Sequence, residues 1–179
     1  QGMINLMLKA CDFELKPDIK KALSRFRTRE TGAVTALISA FERTAAGAAV
    51  KELPDIRKAL EGARSGPPVV GITGTGGAGK SSLIDDLVCR FLRDFKDKTV
   101  AVLAVDPAKR RSGGALLGDR IRMNHINSPR VFMRSFSTRD SGTELSPCIK
   151  DAVKVAKAAG YDLVIVETGG IGQGSAGII

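Results

Sequence analysis

Eight consecutive residues, Gly74-Thr75-Gly76-Gly77-Ala78-Gly79-Lys80-Ser81, limit what this chain can fold into more than any other stretch. They satisfy G-x-x-x-x-G-K-[ST] at every fixed position, the pattern of a phosphate-binding loop between a strand and a helix. The flanks fit that placement. Val69-Val70-Gly71-Ile72-Thr73 predicts a short buried strand ahead of the loop. Behind it, Leu83, Ile84, Leu87, Val88, Phe91, Leu92 and Phe95 repeat at helical spacing. The residue types suit an anion. Glycines from Gly74 onward let the backbone curl tightly and approach a phosphate with no Cβ in the way. Amide N–H groups then point inward, and the new helix adds its positive N-terminal end. Lys80 can reach the β- and γ-phosphates, and the Ser81 hydroxyl can sit on Mg²⁺.

The rest of the second half alternates strand and helix patterns. Thr99 to Val105 is an apolar, β-branched run that stops at Asp106-Pro107, because proline biases the residue before it and removes a ladder donor. Residues 115–127 predict a helix and Val131–Phe136 a strand. Leu145, Ile149, Ala152, Val153, Ala156 and Ala159 mark a helix face ended by Gly160, and Tyr161–Val166 a fourth strand closing at Glu167-Thr168. Such alternation implies an α/β fold with a mainly parallel sheet covered by helices. Ligands then lie beyond the carboxyl ends of the strands, where the loop, Asp106 and Glu167 all fall.

Before this domain the pattern is helical. A short helix is expected over 3–14, then one with Pro17 in its first turn and Ile19, Ala22, Leu23 and Phe26 on one face. Thr31 predicts an N-cap for a helix carrying Val34, Leu37, Ile38 and Phe41. Leu53, Ile56, Ala59, Leu60 and Ala63 mark another. Ser65-Gly66-Pro67-Pro68 breaks the pattern. The expected division is a helical linker or inter-domain segment over 1–66 and the nucleotide-binding domain over 67–179. Whether the helices serve as a linker or pack on their own domain stays open at this level.

Composition narrows the partners. Cys11, Cys89 and Cys148 are scattered with no C-x-x-C, which speaks against a disulfide scaffold and structural zinc and suits a reducing cytoplasm. One histidine, His125, leaves no His-rich metal site and reads as a surface residue. No apolar run reaches membrane-span length, so no membrane partner is expected. The start, Gln1-Gly2-Met3, has no signal-peptide pattern and reads as a piece of a longer chain. A net charge of +9 suits phosphate-rich ligands such as a nucleotide or a coenzyme A thioester. Aromatics at 4% and no Trp disfavour nucleic acid, which would want stacking platforms.

Two carboxylates stand out for Mg²⁺, which takes oxygen ligands from protein, phosphate and water. Asp106 and Glu167 each follow an apolar strand, so both could face the metal at the loop; a helix cap or a solvated strand end is the plainer alternative. Asp119, in Gly118-Asp119-Arg120, carries less weight from pattern alone. Lys109-Arg110-Arg111 is a basic stretch that could clamp phosphates, contact RNA or simply be solvated. Gln173, in the Gly-rich stretch after Glu167, is placed where it could orient a water.

Read together, Gly71-Ile72-Thr73-Gly74 running into the loop, Ala104-Val105-Asp106-Pro107, Gly113 to Met123 and Val166 to Gln173 resemble one family in the same order. It is the GTPase chaperones of adenosylcobalamin-dependent acyl-CoA mutases, of the methylmalonyl-CoA-mutase-associated type. The wording is closest to the branch built into fused isobutyryl-CoA-type mutases. The resemblance covers residues of about 65–175. It implies a P-loop GTPase using GTP/GDP and Mg²⁺, coupled to loading and protecting the mutase cofactor. Adenosylcobalamin and the acyl-CoA would be held outside this segment, by mutase domains in cis or in trans, and a homodimer is compatible with it. Carried over by motif, Gly77, Ala78, Gly79, Lys80, Ser81, Ser82 and Arg122 would hold the nucleotide. Ser81, Asp106, Asp119, Glu167 and Thr168 would surround the metal, and Lys80 and Gln173 are the catalytic candidates. The family reads guanine with an Asn-Lys-x-Asp motif that these 179 residues lack, so the domain is expected to be C-terminally incomplete. A kinase, a metal-insertion NTPase and a nucleic-acid-binding module are the alternatives.

Overall fold

A computed structural model describes residues 2, 6, 17–61, 66–106, 123–137 and 148–169. The helix expected over 3–14, together with Cys11, Lys109 to Arg111, Asp119, Arg122 and Gln173, lies outside the described residues. The elements run α1 (Ile19–Arg25), α2 (Thr31–Ala45), α3 (Leu53–Glu61), β1 (Val69–Gly74), α4 (Lys80–Asp94), β2 (Val100–Asp106), β3 (Val131–Ser137), α5 (Ile149–Ala159) and β4 (Leu163–Gly169).

The four strands form one sheet in the order β1-β4-β2-β3, every pair parallel. Parallel neighbours need crossovers, and α4 and α5 provide two of them. β2 is enclosed on both faces: Val100 to Val105 are at most 3% exposed, as its unbroken apolar run demands. β1 departs from expectation. Among the described residues it lies at the sheet's edge, paired with β4 on one side only, and Val69 and Val70 are each 41% exposed rather than buried.

Alternation sorts the strand residues between two cores. Ala101, Leu103, Val105, Phe132, Phe136 and Val164 face α1, α2 and α5. Val102, Ala104, Met133 and Ile165 face α4, which buries Ile84, Val88 and Leu92 against them. The helices before residue 66 share the first core. Val34, Leu37 and Ile38 are fully buried, and Ile56 of α3 joins them. Each such side chain contributes about 1.5–3 kcal/mol relative to exposure.

Local signals set the helix ends, with three corrections. Asp18 caps α1 by accepting from the Lys21 N–H at 3.0 Å, so Pro17 precedes the cap instead of sitting in the first turn. Thr31 is the first residue of α2 and Glu30 holds the cap position without a side-chain bond. The stretch Met123–Asn127 is not α-helical: a 3₁₀ turn spans His125–Asn127 and Ser128 is extended, as the following Pro129 requires. α5 does end at Gly160, in the left-handed region with φ 86°. At the amino end of the sheet, Asp162 accepts from the Thr99 N–H (2.9 Å), the Thr99 hydroxyl (3.0 Å) and Lys98 Nζ (2.8 Å). β4 therefore starts at Leu163, two residues later than expected.

Candidate functional site

The site forms where β1 gives way to α4. β1 ends at Gly74, and the chain turns through residues 75–79 with Ala78 N–H donating to the Thr75 carbonyl at 3.2 Å. Gly77 and Gly79 take φ of 81° and 83°, where a β-carbon is strained. A Cβ built on either meets nothing within 4 Å, so glycine is required there by the turn, while the concavity stays open. Gly79 is the N-cap of α4 and brings no side chain to its first N–H groups, and the first turn holds no acidic residue. Those N–H groups and the positive end of the helix make an anion seat. Thr75 to Gly79 and Ser82 are exposed, while Lys80 and Ser81 are half-buried. Lys80 bends back over the loop and donates from Nζ to the Thr75 carbonyl at 3.0 Å.

Glu167 completes the seat from β4. Ser81 Oγ donates to Glu167 Oε1 at 2.9 Å, joining residues far apart in sequence. The register explains the meeting. Glu167 pairs with Ile72 of β1 and Ala104 of β2, so it stands in the strand between them, on the face toward α4. It lies inside β4, two residues before the strand ends, and is 5% exposed. Such a carboxylate costs free energy to bury unless a hydroxyl, a cation or another donor meets it. A serine hydroxyl and a buried carboxylate are hard oxygen donors, which fit Mg²⁺ and do not fit a soft metal.

Asp106 ends β2 one register step past Val105, which pairs with Thr168. Its main chain thus stands at the same rim of the sheet as Glu167 and Gly74. Thr168 follows Glu167 and by alternation faces the α1, α2 and α5 side. Its hydroxyl is buried with no hydrogen-bond partner among the described residues. Toward Ser81, Thr168 offers main chain only. Gly74, Gly77, Ala78, Gly79, Lys80, Ser81, Ser82 and Glu167 are therefore brought together, with Asp106 at the rim.

Pattern reading missed one neighbour. Asp85 lies one turn beyond Ser81 on α4, and its carboxylate accepts from the His125 N–H at 2.9 Å. The imidazole Nδ1 is 3.1 Å from the other carboxylate oxygen, at ion-pair distance but not aligned as a hydrogen bond. Burial pushes the Asp85 carboxyl up, but the main-chain N–H groups of His125 and Asn124, with the imidazole, outweigh it and leave the pKa below its ordinary value. No motif singles out Asp85, so only proximity in space reveals the contact.

A family model described as the methylmalonyl-CoA mutase-associated GTPase MeaB matches residues 38–179. This chain belongs to the MeaB family. A fused isobutyryl-CoA mutase of Geobacillus kaustophilus is 55% identical to it over 184 residues, covering 99% of the chain and 17% of that protein. A putative GTPase of Pyrococcus horikoshii is 42% identical, covering 87% of the chain and 47% of that protein. This MeaB-family chain thus spans less than half the length of either relative. The crystal structure of an LAO/AO transport system kinase superposes with a TM-score of 0.58 at 23% identity, covering 90% of this chain and 46% of that one. The last likeness supports the α/β P-loop fold alone. Among the described residues no helix is long and apolar enough to cross a membrane.

Proposed function

We propose that this MeaB-family chain binds GTP with Mg²⁺ and hydrolyses it, as the GTPase part of an adenosylcobalamin-dependent acyl-CoA mutase system. The single observation that carries the reading is the Ser81–Glu167 hydrogen bond at the mouth of the glycine loop. It sets a hydroxyl and a carboxylate side by side where a metal must bridge nucleotide and protein. Membership of a family of mutase-associated GTPases supports the choice of guanine and of partner.

In this reading each side chain has a limited task. The N–H groups from Gly77 to Ser82 hold phosphate oxygens. Lys80 leaves the Thr75 carbonyl and neutralises charge on the β- and γ-phosphates. Ser81 and Glu167, with Asp106 and Asp119 and the Thr168 main chain, hold Mg²⁺, which supplies charge neutralisation on the transferring phosphate. Arg122 adds a further nucleotide contact, and Gln173 orients the attacking water. Phosphoryl transfer asks for positioning and electrostatics more than for covalent help, which suits this inventory.

The relatives named as fused mutases support a place inside such an enzyme, with residues 1–66 leading into the GTPase domain of 67–179. The cobalamin and acyl-CoA sites are assigned to the mutase domains, and the setting to the cytoplasm. Calorimetric titration of the full-length protein with GTP, ATP and a short RNA, with and without Mg²⁺, tests the reading. GTP binding that strengthens with Mg²⁺ is expected. Equal binding of ATP, or binding of RNA alone, would overturn it.

A further inference from the structure

The P-loop helix α4 meets the sheet through an aliphatic ridge of Ile84, Val88 and Leu92. Such contact is non-directional and does not by itself fix where a helix stops along its own axis. Shifts of about 1–2 Å between packed elements belong to the ordinary repertoire of proteins. Directional bonds hold α4 more narrowly. In its second turn, Asp85 Oδ1 accepts from the His125 N–H at 2.9 Å. At its far end the half-buried Arg130 donates from Nη2 to the Leu92 carbonyl at 2.9 Å, and from Nη1 to the Phe95 carbonyl at 2.8 Å and the Lys98 carbonyl at 3.3 Å. The Leu92 carbonyl is among the last four of the helix, which find no donor within it. The chain between these two ties is short and braced. Ser128 N–H donates to the His125 carbonyl (3.3 Å), Arg130 N–H to Ser128 Oγ (3.3 Å) and Val131 N–H to the Ser128 carbonyl (2.9 Å). Ile126 is buried in the core under α4. The Arg130 carbonyl accepts from the Val100 N–H at 2.9 Å, which joins this stretch to the start of β2. Residues 125–130 are therefore a strap fixed to the sheet and bonded to α4 at two heights.

We propose that Arg130 is a positioning residue for the Mg²⁺–nucleotide site: with the His125 N–H it holds the P-loop helix at one axial position on the sheet, so that Ser81 stays opposite Glu167. The inference rests on the reading under Proposed function, in which Ser81 and Glu167 hold Mg²⁺. Roughly 16 Å of helix separates Ser81 from Leu92, and the helix between them is continuous, so a slip at the far end is felt at the first turn. The Ser81–Glu167 bond is single and 2.9 Å long, too short to survive such a slip unchanged. A cation at the negative end of a helix is favourable whichever residue supplies it. The planar guanidinium adds direction, because two of its nitrogens reach separate carbonyls, which a lysine ammonium on a flexible stem does not fix in the same way.

The test is the factor by which Mg²⁺ raises GTP affinity in the full-length protein, measured by calorimetry at a temperature where circular dichroism shows each variant folded. Arg130→Ala is expected to shrink that factor about fivefold, since a small misplacement degrades a site without abolishing it. Arg130→Lys keeps the charge at the helix end and should recover most of the melting temperature, yet shrink the factor to a similar extent; it decides the matter alone if the alanine variant does not fold. Leu37→Ala lowers stability from the other core, away from α4, and should leave the factor unchanged. Arg130→Lys combined with Glu167→Gln should shrink it by less than the product of the single effects, because both act at the Ser81–Glu167 meeting point. A parent-like factor in Arg130→Lys, an equal loss in Leu37→Ala, or fully multiplicative effects with Glu167→Gln overturns this proposal alone. A parent protein that binds no GTP, or gains nothing from Mg²⁺, overturns the reading under Proposed function first, and this one with it.

Discussion

Ser81 Oγ and Glu167 Oε1 meet at 2.9 Å across the junction of α4 and β4. The contact ties the first turn of the P-loop helix to the strand that runs beside β1. Its consequence is that the side chains proposed above to hold Mg²⁺ stand together at the mouth of the glycine loop.

Lys80 tests the phosphate seat directly. Lys80→Ala removes the ammonium while sparing the glycine turn and leaving the helix its best helix former. Triphosphate affinity should fall by roughly a hundredfold, the size of one or two lost charge-assisted hydrogen bonds. The denaturant midpoint should hardly move, because the ammonium's one bond is to the exposed Thr75 carbonyl. Calorimetry that cannot tell the variant from the parent would remove the loop from the account.

Glu167 separates nucleotide from metal. Glu167→Gln keeps an oxygen for Ser81 but loses the negative charge. Nucleotide binding without Mg²⁺ should persist, while the gain on adding Mg²⁺ should shrink by about tenfold or more, given that Mg²⁺ is held through few carboxylates. A Mg²⁺ titration at fixed nucleotide reads the difference. An undiminished gain would move the metal away from β4.

Leu37 probes the helices before residue 66. It is fully buried in the core shared by α1, α2, α5 and one face of the sheet. Leu37→Ala should cost about 2–5 kcal/mol in urea unfolding. If α1 to α3 were a detached appendage, the main unfolding transition would not shift.

Tyr161 predicts an alkaline limit. Burial raises its phenol from 10.0 to about 12, with the Arg29 charge opposing, while its ring lies 5.8 Å from that of Phe132. A folded pKa above the unfolded value favours the protonated form in the fold. That stability, about 2–3 kcal/mol in full, is complete below pH 10 and lost as pH rises toward 12. Tyr161→Phe should leave the neutral-pH stability near that of the parent and remove this part of the alkaline loss, followed by unfolding curves at pH 9 and 11.5. The carboxylates run the other way. Burial pushes the Asp162 carboxyl up, but Lys98 and the Thr99 donors pull it below its ordinary value. Its contribution is present above about pH 4 and fades as pH falls through the lowered pKa.

Local pattern carried most of the architecture, since a P-loop with apolar runs and helical stripes in alternation leaves few folds. What it could not carry was lateral order. Val69 and Val70 look like core residues, and only the strand order β1-β4-β2-β3 reveals them at the edge of the sheet that the described residues form. Glu167 read as a strand terminus but lies within β4, because Thr168 and Gly169 keep pairing with Thr73 and Gly74. Thr168 was readable as facing away from Glu167 by alternation alone, once the strand was known to continue. Asp85 gave no local hint, since its partners lie about forty residues downstream. Ser81 and Lys80 were legible because the loop motif states their roles outright. Asp119, Arg122 and Gln173 lie beyond the described residues and rest on family resemblance.

β1 joins the sheet through β4, the strand that comes last along the described chain. Because synthesis runs from the amino end, the strand carrying the glycine loop is made well before Leu163–Gly169, its ladder partner among the described residues. Glu167 arrives with that same partner. Among the described residues, the main-chain support of the glycine loop and the carboxylate that Ser81 meets are thus both contributed by one late-made strand.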